Sequence, residues 1–136
     1  MDWYYEGQPV KEIDLDKYVG FCYIIENLKN GRKYIGKKLL KHSKTRQVKG
    51  KRKRTLVESD WRDYYGSNKK LLEDVEKFGK ENFKRTILKW CSTKGETSYW
   101  ELHFQMMNHV LLDENYYNEF VGVKINSSHI KNVKTE

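Results

Sequence analysis

The stretch FCYIIENLKNGRKYIG, residues 21–36, constrains the fold more than any other part of the chain. VGFCYIIEN (19–27) carries the β-branched and aromatic side chains of a strand, and RKYIGKK (32–38) can return beside it. Between them Asn30-Gly31 tolerates the left-handed backbone of a two-residue hairpin turn. With that turn, facing positions sum to 61, so Tyr23 lies opposite Lys38 and Tyr34 opposite Asn27. Because side chains alternate along a strand, Tyr23, Tyr34 and Lys38 then project from one face; a one-residue slip would separate them. A packing face and a chemically active face both satisfy this pattern.

The remaining segments fit one mixed α/β domain around that hairpin. Residues 1–18 form an aromatic, slightly acidic lead-in whose Trp3, Tyr4 and Tyr5 are expected to pack on the domain. Ser67 is a plausible cap for a helix over 68–78, with Leu71, Leu72, Val75 and Phe78 on one stripe and Gly79 as its stop. FKRTILKW (83–90) reads as a strand. A second helix is expected over about 97–111, with Tyr99, Leu102, Met106 and Val110 inward. The tail from about 121 is expected to add a short strand and then fray.

Charge is concentrated rather than spread. Lys and Arg number 27 against 19 acids, yet residues 37–54 hold ten of the basic residues and no acid, leaving 17 against 19 elsewhere. A segment of this kind attracts a polyanion, because neutralising phosphates releases condensed counterions. A solvated loop or a localisation tag has the same composition. The phosphate contacts expected from it are Lys37, Lys41, Lys44, Lys49, Lys51, Arg52, Lys53 and Arg54, with Arg62 beyond it. The run lacks an amphipathic apolar face for membrane attachment, and no apolar stretch approaches the roughly 18 residues of a membrane span. Two cysteines and no charged-then-apolar leader point to a reducing cytoplasm. Histidines 42, 103, 109 and 129 have no zinc-ligand spacing.

Phe21-Cys22-Tyr23, ten residues, then Tyr34-Ile35-Gly36 resembles the signature of the GIY-YIG nucleases. Further matches follow in order: Tyr65-Gly66-Ser67-Asn68 before a helix, Lys77–Phe83 leading into a strand, Glu101 on a helix, and Tyr116-Tyr117-Asn118. The resemblance covers roughly residues 19–120 and is greatest to stand-alone phage proteins related to homing endonucleases. It implies a small, mainly antiparallel three-stranded sheet flanked by helices. It also implies hydrolysis of phosphodiesters in DNA, with duplex DNA as the expected substrate and one Mg²⁺ or Mn²⁺ as cofactor.

By that resemblance Glu101 holds the metal, a carboxylate oxygen being the ligand a hard cation prefers, with Glu96 in reserve. Tyr23 is the general base or the group that positions water; a phenol with pKa near 10 needs a cation beside it to act as a base near neutrality. Lys38 would lower that pKa or contact phosphate. Tyr34 would orient water or a phosphate oxygen, and Asn118 would buttress the site. The arginine usual in the family falls at Lys44, inside a basic insertion at about 39–57. Arg46 is the nearest replacement and Arg62 the next; His42 and Tyr65 are further residues expected to approach the site. A binding protein of the same fold without cleavage is the competing class. One catalytic centre per subunit would cut both strands either through a homodimer or by sequential nicks. No base-reading helix is recognisable, so modest sequence preference is expected.

Overall fold

The computed structural model describes residues 1–122, 127–131 and 133, with only the backbone described at 46–48, 53 and 54. Seven strands and two α-helices are built from these residues: β1 (Trp3–Tyr5), β2 (Gln8–Pro9), β3 (Gly20–Asn27), β4 (Lys33–Leu39), β5 (Lys41–Val48), β6 (Lys51–Glu58), α1 (Lys69–Phe78), β7 (Phe83–Cys91) and α2 (Lys94–Met107). The principal sheet has five strands, in the order β2-β1-β7-β3-β4, rather than three. The two additional strands come from the N-terminal lead-in. There β1 runs parallel to β7, Trp3 opposite Arg85, and buries Trp3 to 2% exposure. Three apolar or aromatic residues beside a central strand suffice to extend a sheet, and short elements of this length leave little periodicity in sequence.

The β3–β4 hairpin forms with a different loop. Asn27 donates its N–H to Arg32 O and accepts from Gly31, so the connection is the four residues 28–31, not Asn30-Gly31 alone. The Asn27 and Asn30 carboxamides accept from Lys29 and Arg32 N–H groups, favouring the longer turn, and Gly31 takes a φ of 77°. Tyr23 consequently lies opposite Gly36, Ile25 opposite Tyr34, and Phe21 opposite Lys38. The shift is by two positions, and an even shift preserves the face; Tyr23, Tyr34 and Lys38 remain on one side.

That side holds the larger core. Phe21, Tyr23 and Ile25 pack there with Trp3, Leu40, Trp61, Tyr65, Leu71, Val75, Phe83, Ile87 and Tyr117. On α1 the cap is Asn68 rather than Ser67: its carboxamide accepts from Leu71 N–H while its amide donates to Tyr117 O. Leu71 and Val75 are buried, whereas Leu72 is 41% exposed. Gly79 ends the helix with a φ of 90°.

The opposite face receives α2, which starts at Lys94 behind the Thr93 cap. Its buried residues are Thr97, Trp100 and Gln105, and Met106, expected inside, is 56% exposed. Spacing of four places 97, 101 and 105 on one stripe, so the helix lays its more polar side on the sheet. The apolar-stripe rule fails because that part of the sheet edge offers backbone polar groups to satisfy, which Gln105 does.

The basic segment is not a loop. β5 and β6 form their own two-stranded ribbon, Lys41 opposite Glu58 and Val48 opposite Lys51, joined by Lys49-Gly50 with φ values of 51° and 76°. Positive φ at both turn positions matches the right-handed twist of a two-residue hairpin. The expected C-terminal strand lies partly outside the described residues; Ser127–Ile130 form a 3₁₀ turn beside α2.

Candidate active site

The site is organised by β4, which is the edge strand of its sheet among the described residues. Alternate N–H groups along that edge find different acceptors, Lys33 donating to Asn115 O and Ile35 to Asn118 Oδ1, and the next in the series, Lys37, lies close enough to Glu101 for its backbone to draw that carboxyl's pKa down. Edge amides must be satisfied or solvated, and here they fix the positions of the two segments that bracket the strand. Asn118 returns its Nδ2 to Ile35 O at 2.9 Å, thereby reproducing both hydrogen bonds of a neighbouring strand with one side chain. Gln105 Nε2 donates to the same carbonyl at 3.0 Å.

Above this edge the Tyr23 and Tyr34 rings stand 6.2 Å apart and tilted by 40°. Gly36 explains how they converge. A Cβ built on it would lie 2.5 Å from Tyr23 Oη and 2.9 Å from Tyr34 Cε2, so any side chain there would occupy the space of the phenols. Tyr34 reaches Ser67 Oγ at 3.5 Å.

Tyr64 completes the aromatic set, edge-on to Tyr23 with centroids 6.0 Å apart. Lys38 Nζ sits 4.1 Å from the centre of the Tyr64 ring and 2.7 Å from Asp60 Oδ1. The ammonium thus lies over one phenol ring and is tethered by a carboxylate that is itself held below its usual range by that lysine.

Burial governs the titration of the centre. Tyr23, 1% exposed, is pushed well above the ordinary phenol pKa by desolvation, with Tyr64 and Tyr34 adding to the shift. Tyr34 moves upward for the same first reason, while Ser67 opposes it. Glu101 is raised above 4.5 by burial, and Lys37, through charge and its backbone N–H, draws it partly back. The Glu101 charge also raises both phenols, as the smallest of the causes acting on each.

Other residues expected at the site take different positions. Lys37 is exposed and donates to Ser98 Oγ at 2.7 Å, on the side of α2. Arg62 stacks on Trp61 and donates to Lys11 O, so its guanidinium serves the N-terminal segment instead of the phenols. The Arg46 side chain lies outside the described residues; its backbone belongs to β5. Tyr65 is packed in the core between Arg85 and Lys80, and it is the neighbouring Tyr64 that faces Tyr23. Glu96 accepts from Ser92 N–H at 3.3 Å while its own N–H bonds to Thr93 Oγ1, a capping arrangement that occupies this carboxylate at the helix start. His42 is exposed near Asp60.

Two participants were missed by sequence reasoning, Tyr64 and Asp60. The DWRDYYG stretch contains adjacent tyrosines, and only the turn after Trp61–Asp63 decides which one faces the sheet. Among the described residues no three His, Cys, Asp or Glu side chains form a metal cluster. Asp60 is engaged by Lys38, and Glu101 is the carboxylate beside the edge of β4. A partly buried acid whose charge is incompletely compensated suits a hard divalent ion that keeps water and substrate oxygens as its other ligands.

A mixed α/β domain, a sheet built on the β3–β4 hairpin with two helices beside it, fits the fold class that the YIG motif implied. The chain belongs to the GIY-YIG family: residues 3–121 match the family described as "Putative endonuclease segE, GIY-YIG domain". It is 35% identical over 98 residues to "Putative endonuclease segE" of Enterobacteria phage T4, a match covering 72% of this chain and 39% of the relative. The matched region thus spans about two fifths of that relative's length. No solved structure matches. Among the described residues no helix is long and apolar enough to cross a membrane.

Proposed function

We propose that this chain is a divalent-metal-dependent endonuclease that hydrolyses phosphodiester bonds in DNA. The observation that carries the reading is the convergence of Tyr23, Tyr34, Tyr64 and Lys38 on one face of β4 with Glu101 at its edge. Fold alone would not distinguish a nuclease from a binder, whereas this assembly has a group for each chemical task.

Glu101 would hold Mg²⁺ or Mn²⁺, which when bound supplies Lewis-acid stabilisation of the negative charge that accumulates on phosphate. The phenols serve by orientation. Tyr23 is kept protonated by its burial, so it donates to an incoming oxygen and positions water; this favours the water-positioning role over that of a free phenolate base. Tyr34, half-buried beside Ser67, presents its hydroxyl to water or to a non-bridging phosphate oxygen. Lys38 brings the positive charge that the family's arginine would otherwise supply, with Asp60 holding it in place until a phosphate competes. Asn118 and Gln105 keep β4 in register, so their contribution is rigidity.

A supercoiled-plasmid assay tests the reading. Wild type should convert plasmid to nicked or linear product in Mg²⁺ or Mn²⁺ but not in EDTA. Glu101→Ala should abolish conversion while leaving DNA binding within about threefold. Persistent duplex binding by a wild type that cuts with neither ion would replace the enzyme by a binding protein.

A further inference from the structure

Among the described residues the β5–β6 ribbon pairs with no other strand. Its residues 41–58 contain eight Lys or Arg and one acid, leaving 19 basic and 18 acidic residues in all the rest of the chain. Nearly the whole net charge of +8 therefore projects on one hairpin. Its register sets Thr45 against Arg54, Arg46 against Lys53, Gln47 against Arg52 and Val48 against Lys51. At the base Lys41 stands opposite Glu58, the one acid of the ribbon, and no ion pair among the described residues engages the ribbon. So many cations with one acid among them repel one another, and a polyanion would relieve that repulsion.

The distribution of charge narrows the kind of polyanion. Period-two alternation puts Lys41 and Arg52 on one face and Lys44 and Lys51 on the other, all accessible to solvent. A ribbon lying on a single phosphate backbone has use for cations on one face only. Cations on both faces match two phosphate walls. Two strands about 4.8 Å apart, with side chains, fit the roughly 12 Å major groove of B-DNA but not its roughly 6 Å minor groove. The deep, narrow major groove of duplex RNA would not admit them.

The base of the ribbon is rigid. Leu40 is buried, donates its N–H to Val19 O, and accepts from Ser59 N–H, while Ser59 Oγ donates to Leu39 O at 2.6 Å. Lys38 and Asp60, in the site, lie three residues before one end and two after the other. Eight residues at about 3.4 Å each give an arm of about 27 Å, the rise of about eight base pairs.

We infer that the β5–β6 ribbon is a duplex-DNA arm that inserts into the major groove with its two faces against opposite phosphate walls. The choice of DNA rests on the nuclease reading; the insertion rests on the ribbon. The test uses full-length chain carrying Glu101→Gln, so that binding is read without cutting, together with the pairs Lys41→Gln/Arg52→Gln and Lys44→Gln/Lys51→Gln. Fluorescence anisotropy on a 30-base-pair duplex gives the salt dependence, and dimethyl sulfate probing reports guanine N7 in the major groove against adenine N3 in the minor.

Each pair should make the log–log salt slope shallower by about two and weaken binding at least tenfold near 0.15 M salt. Guanine N7 should be protected over about eight base pairs, and duplex RNA should compete poorly. A slope change confined to one pair would put the ribbon on a single backbone and overturn insertion. Unprotected N7, or protection at adenine N3, would overturn it as well. Circular dichroism and melting of both variants confirm that these surface substitutions leave the fold intact. If wild type fails to cut but N7 is protected, the nuclease reading falls and the arm stands; if it cuts while neither pair alters the slope, the reverse holds.

Discussion

Gly36→Ala tests the geometry of the site most directly. The added methyl would lie 2.5 Å from Tyr23 Oη, 2.8 Å from Cζ of the same ring and 2.9 Å from the Tyr34 ring, against an optimal separation of about 3.5–4.0 Å between carbons. Neither neighbour can retreat cheaply. Tyr23 is 1% exposed and enclosed by Trp3, Phe21, Tyr34 and Tyr64, with centroids 5.4 to 6.2 Å from its own. Overpacking of a tight core costs about 1–3 kcal/mol. That should lower Tm by roughly 3–10 °C in a domain of this size. A displacement of the phenols by about 1 Å should reduce kcat/KM in the plasmid assay by about a hundredfold. Gly31→Ala is the control: its φ is 77° but a Cβ there meets nothing within 4 Å, so it should cost only about 1–2 kcal/mol and leave cleavage unchanged. Combining Gly36→Ala with Tyr23→Phe, which removes the closest atom, should recover part of the lost stability. If Gly36→Ala melts within about 2 °C of wild type and cuts normally, the proposed seating of the phenols on this glycine is wrong.

Glu101→Gln should alter stability in a pH-dependent way. A carboxyl raised by burial binds its proton more tightly folded than unfolded, so the folded state loses stability as pH rises from the unfolded pKa near 4.5 through the higher folded value. In EDTA the variant should therefore melt above wild type at pH 7, with the difference closing below about pH 4; a constant difference across pH would refute this. Adding Mg²⁺ should raise the wild-type Tm and leave the variant's unchanged. Asn118→Ala should cost about 1–3 kcal/mol by leaving Ile35 N–H without its partner, seen as a lower denaturation midpoint with unchanged m. Loss of stability below about 0.5 kcal/mol would mean that water replaces the carboxamide freely.

Local chemistry determined much of this molecule: strand content and the Asn-Gly pair located the hairpin, although its loop runs over 28–31, and alternation put Tyr23, Tyr34 and Lys38 on one face. Those inferences survive a changed loop because face membership depends only on whether the register shift is odd or even. Long-range contacts decided the rest. Trp3 joins the sheet because β7 has an open side, an edge created by folding. The polar stripe of α2 turns inward because β4 presents unpaired edge groups, and no hydrophobic pattern within the helix records that demand. Tyr64, rather than Tyr65, enters the site because Arg85 binds the Tyr64 carbonyl and stacks on the Tyr65 ring, a contact between residues 20 or more positions apart. Sequence specifies the preferences of neighbours along the chain; which of two equivalent side chains reaches the chemistry is set by partners that only the folded backbone brings near.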